Sequence, residues 1–378
     1  MMSAVADLLC DLVRIPSVNP DGDPGTDRVG EKNCADFLAG FLKNLGAGTS
    51  VTDVLPGRPN VVARFPSNKK GKPRLLLAPH TDTVSVVGMT IDPFAAEVRE
   101  GRVWGRGASD TKGPMAAMLS ALRECREILP TLSHEIWFAG LMGEEAGQHG
   151  AKALAASEHF DFVIAGEPTD LQTVHTHKGS AWVTLRTRGR AVHASTPLDG
   201  ENAIYAMLDV LTGFRGELIA DFAQRNHPVL GSPTFSVGTI HGGSKVNIVP
   251  DFCEAVVDIR TIPGQDIQPL LAVLAREFPK LEIEIRQSQP MFTDTGHPLI
   301  KDLNSCGAPS VGAPWFCDGA IFSGAGMPAV SLGPGSMAQA HTKDEWIAIE
   351  ELEKGVAFFA RFLQTLRKCS PRCASSRA

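Results

Sequence analysis

The chain has 378 residues, 43 % hydrophobic and 21 % charged, and its 36 Lys and Arg against 42 Asp and Glu leave a net charge of -6. That length supports two domains with a full core, and the ordinary balance of hydrophobic and charged residues excludes a disordered or fibrous chain. The acidic balance, without a basic run, gives nucleic acid no electrostatic footprint, and no stretch approaches the roughly 18 apolar residues of a membrane span. The N-terminal MMSAVADLLCDLVRIPSVNPDG lacks a basic start and is broken by Asp7 and Asp11, so no signal peptide is expected. The eight cysteines are scattered without a CxxC pair, which suits reduced thiols in a cytoplasmic protein. Cys369 and Cys373 share the polar tail KCSPRCASSRA, read as a frayed terminus.

In chain order, RLLLAPHTD reads as a buried strand that delivers His80 and Asp82 into the following loop. KGPMAAMLSALRECREIL follows with Met115, Met118, Leu119 and Leu122 on one helical face. HEIWFAGLM is a second buried strand, ending at the adjacent Glu144 and Glu145, and FVIAGEPTD is a third, ending at Glu167. Apolar runs alternating with helices predict a parallel sheet covered by helices. From SAWVTLRTRGR the rhythm changes. That strand is followed by the helix NAIYAMLDVLTGF, the strands PTFSVGTIHGG and CEAVVDIRTI, the helix IQPLLAVLAREF and the strand LEIEIRQ. This β-α-β-β-α-β order is that of a ferredoxin-like unit. From QPMFTDTGHP the chain returns to the first domain, where MPAVSLGPG precedes the loop carrying His341. The expected fold is therefore α/β. A mixed, largely parallel sheet with helices on both faces takes residues 1–177 and 289–378, and an inserted ferredoxin-like α+β domain takes 178–288.

Ligands of open α/β sheets bind beyond the carboxyl ends of the strands, so four strand ends delivering His, Asp or Glu argue for one convergent metal site. Imidazole and carboxylate donors without cysteine suit zinc, cobalt or manganese, and an Asp shared by two ions allows a pair roughly 3.5–4 Å apart. Asp82, two residues past His80, is placed to accept the other ring N–H and fix the ligating tautomer. Adjacent side chains on a strand point in opposite directions, so Glu144 and Glu145 are expected to divide the work, one ligating and one moving a proton.

Seven ordered motifs make the resemblance specific: HTDTV, GRGASDTKGPMAAML, GEEAGQHGA, GEPTD, GRAVHAS, GGSKVNIVPD and VDIRTIPG, with LGPGSMAQAHTKDEW as an eighth. Together they resemble the co-catalytic zinc deacylases and exopeptidases, a family that includes acetylornithine deacetylase, succinyl-diaminopimelate desuccinylase, aminoacylase and glutamate-releasing carboxypeptidase. The resemblance implies two Zn2+, replaceable by Co2+ or Mn2+. One would be held by His80, Asp110 and Glu167 and the other by Asp110, Glu145 and His341, with Glu144 as general base. It also implies a cis peptide after Asp110 and a homodimer formed through the inserted domain. His193 resembles a histidine that reaches across that dimer to the oxyanion. Asn247 and Arg260 resemble substrate-holding groups, and the Gly333–Gly335 turn is expected to lend backbone donors. The stretch GPGSMAQAHTKDEWI resembles the acetylornithine deacetylase pattern, so a small N-acyl amino acid, N-acetylornithine first, is the expected substrate. The desuccinylase, a related carboxypeptidase or an aminoacylase is the alternative. A regulatory descendant without activity would have lost a ligand or the base, and all six residues are present.

Overall fold

The computed structural model describes residues 3–367, which divide into two units. The first runs to His175 and resumes over Thr293–Val311 and from Cys317 onward. Cys369 and Cys373 lie outside the described residues; the other six cysteines are buried thiols.

The first unit opens with helices α1 (Ala4–Val13) and α2 (Lys32–Asn44), followed by strands β1 (Gly48–Leu55), β2 (Arg58–Arg64) and β3 (Arg74–Pro79). Strands β4 (Glu97–Arg99) and β5 (Arg102–Trp104) lead into α3 (Lys112–Glu124). Strand β6 (Glu135–Gly140), helix α4 (His149–Ser157) and strands β7 (Phe162–Gly166) and β8 (Thr173–His177) follow. The runs LLLAP, EIWFAG and FVIAG are buried at every position, as expected of strands covered on both faces. Accordingly β3 lies parallel between β6 and β7, with Leu76 opposite Trp137 and Leu77 opposite Ile164. Outside them β2 and β1 run antiparallel, which makes the sheet mixed. Helix α3 is buried from Lys112 through Leu122, so its apolar face is wider than the four predicted residues. Alanines 116, 117 and 121 let α1 and α9 pack closely on its other sides.

The second unit comprises Thr176–Phe292 and Gly312–Phe316. It contains β9 (Gly179–Arg188), α5 (Ala203–Phe222), β10 (Thr234–Gly242), β11 (Phe252–Thr261), α6 (Gln268–Glu277) and β12 (Glu282–Ser288). The sheet order is β10-β11-β9-β12, every pair antiparallel, which is the ferredoxin-like arrangement read from the sequence. Period-two alternation turns Ala181, Val183 and Leu185 inward with Ala255, Val257 and Ile259, against Met207, Phe214, Leu271 and Leu274 of the two helices. Asn202 caps α5, its Oδ1 accepting the N–H groups of Ile204 and Tyr205 at 2.9 and 3.2 Å.

Strand β13 (Met291–Phe292) pairs antiparallel with β8 and returns the chain. Helix α7 (Pro298–Ser305), strand β14 (Ser310–Ala313), helix α8 (Gly319–Gly324) and strand β15 (Ala329–Ser331) follow, and β15 lies parallel to β7. Strand β16 (Trp346–Ala348) pairs with β5, and α9 (Ile349–Thr365) packs on α3. Among the described residues no helix is long and apolar enough to cross a membrane.

His177 gives the second unit a pH dependence. It is fully buried and its Nδ1–H donates to the Lys178 carbonyl at 2.9 Å, and burial holds the imidazole down at about 4 against an ordinary 6.5. Between those values the unfolded chain binds the proton that the folded chain refuses. Stability therefore falls as pH drops from 6.5 towards 4, by about 3 kcal/mol in all. His177→Asn keeps an N–H donor and cannot take up that proton. Urea titrations between pH 7 and 4 are expected to show a shallower loss in that variant, and equal slopes would contradict the assignment.

Candidate metal centre

Parallel pairing aligns three strand ends at one edge of the first unit's sheet. Pro79 lies opposite Gly166 and His80 opposite Leu141, so His80, the turn bearing Glu144 and Glu145, and Glu167 leave the sheet together. Asp110 comes from the loop between β5 and α3, where the Asp110–Thr111 peptide is cis, as the resemblance implied. The Thr111 hydroxyl donates to the carbonyl of Gly166, tying that loop to the end of β7. His341 follows β15 in the left-handed region at φ 60°.

The donor atoms converge. His80, Asp110 and Glu167 offer one atom each, all within 4.8 Å of one another, and so do Asp110, Glu145 and His341. Asp110 is common to both groups. His80 Nδ1–H donates to the Asp82 backbone carbonyl at 2.9 Å, with the Asp82 carboxylate 3.4 Å away, and its Nε2 lies 3.1 Å from Asp110 Oδ1. His341 Nε2 lies 3.0 Å from Glu145 Oε2 and 3.5 Å from Asp110 Oδ2.

Glu144 and Glu145 do not diverge as strand alternation led us to expect. Both share a group with His80 within 4.8 Å. Gly143, at φ 74°, turns the chain out of the extended conformation, and Glu144 and Glu145 sit in the turn that follows. Asp82 holds that turn, its Oδ1 accepting the N–H of Glu144 at 3.0 Å and its Oδ2 that of Glu145 at 3.1 Å. Asn60 closes the other side, accepting from the N–H of Met142 at 3.0 Å and donating to the Gly150 carbonyl at 2.9 Å.

Electrostatics tests whether cations fit. Burial and the neighbouring Glu167 push the Glu144 carboxyl well above the usual range, and burial with repulsion from Asp110 pushes Glu145 up to about 7 against the pull of His341. Glu167 is raised well above the range, chiefly by burial, and burial takes Asp318 to about 7. Burial alone would depress His80, yet its Asp110 and Asp82 partners and the charge of Glu167 raise it well above 6.5. Glu145 Oε1 is buried without a hydrogen-bond partner. With Nδ1–H given to a carbonyl, His80 Nε2 faces Asp110 Oδ1 at 3.1 Å, a pairing that needs a proton or another cation between the two atoms. A crowded set of His and carboxylate donors short of positive charge fits two divalent cations sharing Asp110.

Several supporting residues escaped the sequence reading. Asn19 donates to Asp82 Oδ2 at 2.8 Å. Arg58 makes a buried, bidentate pair with Glu31 at 2.6 and 2.9 Å. Glu345, fully buried, accepts from Arg106 and from three backbone N–H groups of the Asp110 loop. Asn19 lay in view in IPSVNPDG and Glu345 in HTKDEW, but only tertiary contacts reveal what each holds.

The Gly333–Gly335 turn is engaged with the Glu167 loop. Gly333 N–H is given to Thr169 Oγ1 at 3.2 Å, and the Gly333 and Gly335 carbonyls accept from Leu171 and Asp170 at 2.9 and 2.7 Å. Gly333 therefore has no N–H left to lend, because the loop it packs on needs the donor.

The remaining predicted residues belong to the second unit. His193 is exposed, its Nδ1 accepting the Ser195 N–H at 3.2 Å with the Ser195 hydroxyl at 2.7 Å, so the ring proton sits on Nε2. Asn247 is exposed and its carbonyl accepts from Ala194 at 3.0 Å. Arg260 directs Nε and Nη2 to Asp258 Oδ2 at 3.2 and 2.9 Å, with its guanidinium 5.7 Å from the Phe316 ring centre.

The chain matches Peptidase family M20/M25/M40 over residues 76–365 and belongs to that family, which makes it a hydrolase acting on amide bonds. Acetylornithine deacetylase of Proteus mirabilis (strain HI4320) is 33 % identical over 365 residues, 92 % of each chain. The enzyme of the same name from Vibrio campbellii (strain ATCC BAA-1116) is 30 % identical over 366 residues, covering 92 % of this chain and 93 % of the other. An M20 family metallo-carboxypeptidase from Sulfolobus solfataricus shares the fold, with a TM-score of 0.79 at 21 % identity over 97 % of this chain and 100 % of that one.

Proposed function

We propose that the protein is a dizinc amide hydrolase that removes the acyl group of an N-acyl amino acid, N-acetylornithine to ornithine and acetate being the preferred reaction. The observation that carries the reading is the pair of donor groups sharing Asp110, with Glu144 beside both. The substrate rests on the names of the curated relatives, and a succinyl group on diaminopimelate is the alternative.

His80, Asp110 and Glu167 would hold one ion and Asp110, Glu145 and His341 the other. When bound, such a pair supplies Lewis acidity towards an amide carbonyl and towards water. The chain's own residues do the rest. Glu144, its backbone fixed by Asp82, takes the proton from the attacking water and returns it to the departing amine. Asp82 keeps the His80 proton on Nδ1 through its carbonyl and positions both glutamates through its carboxylate. Arg260 offers the N–H groups not committed to Asp258 to the substrate carboxylate, and Asn247 is a second substrate-holding group. A homodimer would bring His193 over the partner's centre, where its exposed Nε2–H donates to the developing oxyanion. Support for that dimer comes from β10, a sheet edge exposed along most of its length, and from the exposed Val237, Ile240, Tyr205 and Leu208 of the same unit.

Glu144→Gln is expected to bind two ions yet lose about 10²–10⁴ in kcat, whereas Glu145→Gln loses metal. Metal analysis beside turnover separates the two, and near-normal turnover of Glu144→Gln would remove Glu144 as the base. Chelation should abolish hydrolysis and zinc or cobalt restore it, with N-acetylornithine ahead of N-succinyl-diaminopimelate and other N-acyl amino acids in kcat/KM. Full activity in protein shown to be free of metal would exclude the reaction, and a different leading substrate would reassign it. Finally, inactive His193→Ala and Glu144→Gln proteins mixed equally should recover about one quarter of wild-type activity after subunit exchange. Half the dimers are then mixed, and each has one intact site of two. No recovery despite verified exchange would confine His193 to its own chain or remove it from the chemistry.

A further inference from the structure

We infer that Glu345 is a positioning residue for the cation pair, a strut that holds the loops bearing Asp110 and His341 in register; this rests on the two-ion reading of the centre. Its side chain is 1 % exposed. Oε1 accepts the N–H groups of Ser109 and Asp110 at 2.7 and 2.8 Å, and Oε2 accepts that of Gly107 at 2.8 Å and Arg106 Nη1 at 2.9 Å. The Glu345 carbonyl also accepts the Gly105 N–H at 2.9 Å. One residue thus takes four backbone donors from the six-residue stretch that ends at the shared carboxylate, Asp110.

The other end of the strut is equally fixed. Glu345 lies four residues after His341 in HTKDE and immediately before β16, where Trp346 pairs with Trp104 of β5. Asp344 beside it turns the other way and accepts the N–H groups of Thr90 and Ile91 at 2.9 and 3.3 Å. The loop carrying His341 is therefore anchored at Asp344 and Glu345, and Glu345 in turn sets the backbone of Asp110. Two donors of the Asp110–Glu145–His341 group, Asp110 and His341, lie on the loops that Glu345 joins. The His80–Asp110–Glu167 group has only Asp110 there. Loss of the strut should accordingly weaken the former group more.

The test titrates metal-stripped, full-length protein with Zn2+ by calorimetry, well below the unfolding transition. Wild type is expected to take up two ions. Glu345→Gln has the same shape but one acceptor oxygen for four donors, and it should bind one of the two ions about 10–100-fold less tightly while the other changes less. Arg106→Met is the control for mere structure. It removes the ion pair and leaves the N–H acceptors, so it should lower the unfolding midpoint yet leave both affinities near wild type. If Glu345→Gln does not accumulate as folded protein, Glu345→Asp, which keeps the charge but cannot span the four donors, should give the same ordering. Two ions in wild type with unchanged affinities in the folded Glu345 variants, or equal weakening by Arg106→Met, would overturn the strut alone. Fewer than two ions in wild type would overturn the two-ion reading and the strut with it.

Discussion

Like charge crowded into a buried crevice is the constraint to which the first unit answers. Asp82, Asp110, Glu144, Glu145, Glu167, Asp318 and Glu345 are carried by strand ends and loops that meet at one edge of the sheet, and taking a single carboxylate out of water costs several kcal/mol. The fold meets that cost unevenly. Asp82 is compensated by Asn19 and two backbone N–H groups, and Glu345 by Arg106 and three, so both stay in place as struts. Glu144, Glu145 and Glu167 receive no such donors and their affinity for protons climbs. Three of the residues nominated as ligands and base thus go without that compensation, and so does Asp318.

The parallel strands β3, β6 and β7 make that crowding geometrically possible. Parallel neighbours end at one edge, whereas antiparallel neighbours would send alternate ends to opposite edges. Small residues let the elements close up. A Cβ at Gly150 would lie 2.5 Å from Asn60 Oδ1 and 2.5 Å from the Met142 carbonyl, so α4 begins against the turn that carries Glu144 and Glu145 only because that side chain is missing. Substitution there would push directly on the turn that Asp82 and Asn60 hold.

Much of this was legible in the sequence, because apolar runs bounded by polar loops mark buried strands and the last polar residue after each run marks the crevice. The ferredoxin-like unit was legible for a related reason, since its strands alternate with period two. What failed was local direction. Glu144 and Glu145 were placed at a strand end and given that strand's alternation, whereas β6 ends at Gly140 and Gly143 at φ 74° turns the chain before either glutamate is reached. For Arg260, which resembles a substrate-holding group, the sequence did not show that Asp258, two residues back on the same strand, shares its face and takes part of its fork. Glu345 could not be found by pattern, because its partners at 105–110 lie more than two hundred residues away.

The second unit departs from and returns to neighbouring strands: His177 at the end of β8 lies opposite Met291 of β13. An excursion whose two ends are already hydrogen-bonded neighbours makes little demand on its host, since the entropy of closing a loop grows only with the logarithm of its length, about 0.6 kcal/mol for each doubling. Such a module can be lengthened, shortened or exchanged in evolution without moving the strand ends that carry His80, Glu144 and Glu167. Related chains can therefore change what they bind while inheriting the same inorganic chemistry.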